Sequence, residues 1–145
     1  MSALHFMREK TDIIKLWVEK GDHDLGTAII TYKHIPKYSD TIAFHCQQAV
    51  EKYLKAHCVY LDIKIPRTHD LIYLLEIINQ KENIQKKWFD RLLILEDFAV
   101  EIRYPDHSFE LSEKEIKEAI DIAKMVRQGI IKSLNLTDSI DGLDI

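Results

Sequence analysis

Four side chains near the middle of the chain have the types and spacing to hold a phosphate-bearing ligand. His45, Gln48, Lys52 and Lys55 follow one another at intervals of three, four and three. On a helix these positions fall within about 80° of each other, in one strip along the axis. Lysine offers phosphate a compact charge, and glutamine offers directional hydrogen bonds to a base or a sugar. A solvated helix face has the same pattern, with Glu51 and Lys55 as an i,i+4 ion pair worth about 0.2–0.5 kcal/mol.

Two further groups bear on the same chemistry. Glu101-Ile102-Arg103-Tyr104-Pro105-Asp106-His107 places an arginine at a helix end, followed by a tyrosine and a histidine. An arginine and a histidine at one phosphate are the minimal equipment for metal-independent RNA cleavage, the arginine holding charge while the histidine moves the 2′-hydroxyl proton. The same residues also suit the negative end of a helix and need no ligand there. Arg67-Thr68-His69-Asp70-Leu71 opens another helix, whose free amides suit an anion or a plain N-cap. The chain has seven histidines but no CxxC pair, HExxH or acidic calcium loop, so the sequence implies no metal and no cofactor. A glycine-rich phosphate loop and a GxSxG elbow are absent as well.

Five helices must position these residues. Thr11–Tyr32 carries Ile13, Ile14, Trp17, Leu25, Ala28, Ile29 and Tyr32 on an inward stripe, with Gly21 marking a bend or a close contact. Asp40–Leu61 turns Ile42, Cys46, Ala49, Val50, Tyr53, His57 and Tyr60 inward, and the strip outward. Asp70–Asn79 is short and apolar, capped by Thr68 or Asp70. Ile84–Arg103 points Trp88, Leu92, Leu95, Phe98, Ala99 and Ile102 inward, and Pro105 ends it. Glu113–Leu134 starts with a capping box formed by Ser112 and Glu115. The architecture expected is an all-α, up-and-down bundle of about five helices, with residues 1–136 as one domain and 137–145 as a short acidic tail.

Composition agrees. The 145 residues are 46% hydrophobic, enough for one core. Only 4 glycines and 3 prolines argue against the turn-rich all-β folds. A net charge of −4 gives no global attraction to nucleic acid or anionic lipid, so any such binding needs a local patch. Cys46 and Cys58 lie on one helix about 18 Å apart, too far for a mutual disulfide, and read as buried, reduced thiols. No apolar run approaches a membrane span, and the N-terminus lacks the order of a secretory signal, so a cytoplasmic location is expected.

Several of these segments together resemble one family. Trp17, then Asp24-Leu25 and Ala28, the run Phe44-His45-Cys46-Gln47-Gln48-Ala49-Val50-Glu51-Lys52-Tyr53-Leu54-Lys55-Ala56, then Thr68-His69-Asp70-Leu71 and Arg103-Tyr104-Pro105, are similar to the HEPN domain (higher eukaryotes and prokaryotes nucleotide-binding) over roughly residues 10–134. The resemblance implies a helical bundle that pairs into homodimers. It also implies a minimal nucleotidyltransferase partner in toxin–antitoxin pairs. Many members of the wider superfamily are ribonucleases with an arginine, four to six residues, then a histidine. Arg103 and His107 have three residues between them, and Pro105 interrupts the segment. This chain resembles more the RYP-bearing branch, whose usual assignment is nucleotide or partner binding without cleavage. The nucleotide-binding residues implied are His45, Gln48, Lys52, Lys55, His69, Arg103 and Tyr104. The lysine strip and Arg103 are expected to share one cleft near a dimer interface. The alternatives are an Arg103–His107 ribonuclease acting across a dimer cleft and a bundle that only binds proteins.

Overall fold

The computed structural model describes residues 2–102 and 110–136, with backbone alone at 99–102. Its helices are α1 (Ala3–His34), α2 (Ser39–Tyr60), α3 (Leu71–Asn79), α4 (Lys86–Ile102) and α5 (Glu113–Ser133). They form an all-α, up-and-down bundle, and no strand occurs among the described residues. No helix is long and apolar enough to cross a membrane.

α1 begins eight residues before the sequence expectation. The Ser2 side chain accepts a hydrogen bond from the His5 amide, so the helix is capped upstream of its apolar stripe. That stripe is also narrower than expected. Ile14, Val18, Leu25 and Ala28 are buried, whereas Ile13 is 46% exposed. One residue turns a helix by about 100°, which carries Ile13 to the edge of the stripe. The other starts follow the sequence closely. Asp70 accepts from the Tyr73 amide to cap α3, and Ser112 and Glu115 form the capping box of α5.

α2 lies at the centre and packs against α1, α3, α4 and α5. Tyr53, Leu25, Ile42, Leu54, Leu74, Leu75, Leu92, Leu95 and Ile122 are wholly buried in one core. Each such aliphatic side chain stabilises the fold by roughly 1.5–3 kcal/mol. Tyr60, expected inward, is exposed: α2 is about to end there, and the ring lies under the Lys10 ammonium and edge-on to His57.

Two glycines let rings lie against helix backbone. A Cβ on Gly21 would stand 2.6 Å from the Tyr53 ring, and one on Gly129 would stand 2.4 Å from the Trp88 ring. Gly21 is therefore a close contact of α1 with α2. The Tyr53 hydroxyl donates to Asp22 Oδ1 at 2.6 Å, and Arg127 Nε donates to the same oxygen at 2.7 Å. This buried cluster ties α1, α2 and α5 together and fixes their axial register. Burial, then the bond to Asp22, pushes the Tyr53 phenol well above its ordinary pKa. Cys46 and Cys58 are free and buried, and burial pushes their thiols up to about 12 and about 11.

Candidate functional site

The residues of the α2 strip are held by two carboxylates, each shared between a lysine and a histidine. Asp24, on α1, is the first. Its Oδ1 lies 2.8 Å from His45 Nδ1, and its Oδ2 accepts a hydrogen bond from the Lys52 ammonium. An ionised carboxylate only accepts, so the imidazole proton in this contact sits on Nδ1. His45 and Lys52 are seven residues apart on one face of α2, and Asp24 reaches both because the long α1–α2 seam brings it between them.

Glu51 is the second carboxylate, and it is only 4% exposed. Its Oε2 accepts from Lys55 Nζ at 2.9 Å, and its Oε1 lies 2.7 Å from His69 Nδ1. Lys55 is itself 8% exposed, and its ammonium lies 5.7 Å from the centre of the Trp17 ring. The outward, solvated Lys55 expected from the helical wheel is therefore corrected. Trp17 and Glu51 cover it, and the Glu51–Lys55 pair belongs to the interior. Desolvating two charges costs several kcal/mol per ion, and the pair, the ring and the imidazole together offset that cost.

Phe44, which opens the run shared with the family, is not part of the core: it is 52% exposed, and its ring stands edge-on to His45 at 5.3 Å between centroids. The strip thus carries an exposed aromatic ring at its start, an oriented imidazole beside it, and the Lys52 ammonium two turns further on.

The start of α3 does not offer an anion site. Leu71 N donates to Glu96 Oε1 at 2.8 Å, and Tyr73 N donates to Asp70 Oδ1 at 3.1 Å. Thr68 Oγ1 accepts from the Asp70 amide. Two side-chain carboxylates occupy amides that a phosphate would need. His69 is nevertheless joined to the α2 strip through Glu51, and its own side chain is 75% exposed. His57, read from sequence as a core histidine, is buried with Nε2 3.2 Å from Glu82 Oε2, while its Nδ1 has no hydrogen-bond partner among the described residues.

A scan of protein-family profiles matches the HEPN domain over residues 14–134. The chain belongs to the HEPN family. A search of curated proteins finds no match to it.

Within this HEPN fold, His45 and Lys52 meet at Asp24, and Lys55 and His69 meet at Glu51. Gln48 lies between His45 and Lys52 in the strip and is half-buried. Arg103, Tyr104 and His107 lie outside the described residues. Sequence reasoning paired Glu51 with Lys55 only as a solvated ion pair, gave Asp24 no role, and placed Trp17 in the core stripe without linking it to Lys55. A signal was present for Asp24 and Trp17, which stand seven residues apart and so on one side of α1. With neutral imidazoles, two lysines against two carboxylates leave the cluster formally neutral. The cationic ridge of the sequence reading is in fact an internally compensated, hydrogen-bonded array.

Proposed function

We propose that this HEPN protein is a non-enzymatic module that binds a nucleotide or single-stranded RNA along α2 and pairs with a minimal nucleotidyltransferase, as in toxin–antitoxin systems. The reading takes residues 1–136 as one cytoplasmic domain of the RYP-bearing branch, acting as a homodimer, with 137–145 as a tail. One observation carries it: the ligand-type groups of the strip are oriented. A solvated helix face leaves its lysines loose. Here Asp24 fixes the His45 ring and the Lys52 ammonium beside an exposed phenyl ring.

The chemistry follows from the donors left over. A lysine ammonium has three protons, and Lys52 gives one to Asp24, so two remain for phosphate oxygens. Phe44 offers a base a stacking surface, a contact worth about 1–3 kcal/mol where it forms. Gln48 supplies an amide between them. Lys55 is buried against Trp17, so its part is to hold Glu51 and, through it, His69.

Calorimetric titration at low salt with ATP, GTP and a short RNA, in the presence of a chelator, tests the proposal. Binding that weakens about tenfold or more in Lys52→Ala and Phe44→Ala supports it. Absence of heat with every ligand overturns it. Intact RNA after incubation with the protein agrees with the non-enzymatic part, and cleavage lost in His107→Ala establishes the ribonuclease alternative instead.

A further inference from the structure

The strip contains one feature that phosphate binding does not use. His45 donates Nδ1–H to Asp24, so in its neutral form Nε2 carries a lone pair and accepts hydrogen bonds. Among the described residues Asp24 is the only hydrogen-bond partner of the His45 side chain, and that side chain is partly exposed. Nε2 can therefore accept from a donor outside the chain, water or ligand. Phosphate oxygens are acceptors and cannot supply one. An internal deoxyribose has no hydroxyl to give. A ribose has its 2′-hydroxyl, which is a donor.

The neighbours of His45 place that acceptor at the sugar position of a nucleotide. On one side is Phe44, exposed and 5.3 Å from the imidazole between ring centres, where a base can stack. On the other is Lys52, bound to the same Asp24 and suited to phosphate. Ring, acceptor and ammonium follow the order of base, sugar and phosphate. Resting on the nucleotide-binding reading above, we infer that His45, oriented by Asp24, is the residue that selects ribose over deoxyribose, by accepting a hydrogen bond from the 2′-hydroxyl at Nε2. Asp24 is a positioning residue. It fixes the tautomer, as a carboxylate behind a histidine does elsewhere in protein chemistry.

Three oligomers of one length test this: oligouridylate, oligodeoxyuridylate and 2′-O-methyl oligouridylate, each titrated into the full chain at low salt and pH 8. Oligouridylate is expected to bind about tenfold more tightly than either of the others, the size of one net hydrogen bond. The methylated oligomer keeps the oxygen and loses the proton, so it separates donation from mere contact. In His45→Ala the ratio falls to about one. In Asp24→Asn it falls as well, because the asparagine amide can donate to Nδ1 and move the ring proton to Nε2. Circular dichroism checks that both variants remain helical, and either folded variant suffices. Equal binding of all three oligomers overturns the inference while leaving the nucleotide reading intact. It is also the result if Nε2 meets a base edge, since uracil is common to all three. A ribose preference that survives in folded His45→Ala overturns it too. No binding of any oligomer overturns the nucleotide reading and this inference with it.

Discussion

Asp22 turns toward the middle of the bundle, and Asp24, two residues further along α1, turns toward its rim. Both take charge-assisted bonds from other helices. Asp22 is buried with Arg127 of α5 and Tyr53 of α2, while Asp24 meets His45 and Lys52 of α2 at a partly open seam. The difference follows from helix geometry, since two residues rotate a side chain by about 200°. Water sets the consequence. In the interior no water replaces a lost bond to the carboxylate, so the cluster is structural. At the rim, where His45 and Lys52 are partly exposed, water can replace part of a lost bond, and the same kind of bonds orient side chains with less weight in the fold.

Removing Asp22 should have the largest effect. Asp22→Ala leaves the Arg127 guanidinium and the Tyr53 hydroxyl buried beside a gap, and a loss of about 3–5 kcal/mol is expected in chemical denaturation. A loss below about 1 kcal/mol would erase the distinction between interior and rim. Gly21→Ala comes next. Its methyl group would lie 2.6 Å from a Tyr53 ring already held by Asp22, so overpacking of about 1–3 kcal/mol exceeds the ~1 kcal/mol that alanine gains in a helix. Pairing it with Tyr53→Leu should cost less than the two changes summed, because the ring that clashes is gone. Asp24→Asn should be smallest, within about 1 kcal/mol of the parent in the same titration. A cost as large as that of Asp22→Ala would mean that the rim cluster is also a structural support.

Much of the scaffold could be read from the sequence, because helices announce themselves locally. Apolar spacing placed the stripes, and Ser112 with Glu115 marked a start. The site was legible only in part. His45 and Lys52 share a face of one helix, and a wheel shows that. What stands opposite them depends on how α1 lies along α2, and register between helices is set by packing of residues distant in sequence. The same holds for Glu51 and Lys55. A wheel drawn for an isolated helix turned them outward, whereas Trp17 and the loop bearing His69 close over them. Asp22 was invisible for the opposite reason: a lone aspartate within an apolar stripe reads as solvent-facing until Arg127, 105 residues away, arrives beside it.

The first turn of α3 has a further consequence. Amide protons at a helix start ordinarily trade with solvent quickly, since no carbonyl lies upstream to shield them. Those of Leu71 and Tyr73 are instead engaged by carboxylates, one of them from α4. With His69 anchored to Glu51 just before it, this nine-residue segment is latched to α2 and α4 at its leading edge. Isotope exchange at Leu71 therefore reports on separation of α3 from α4.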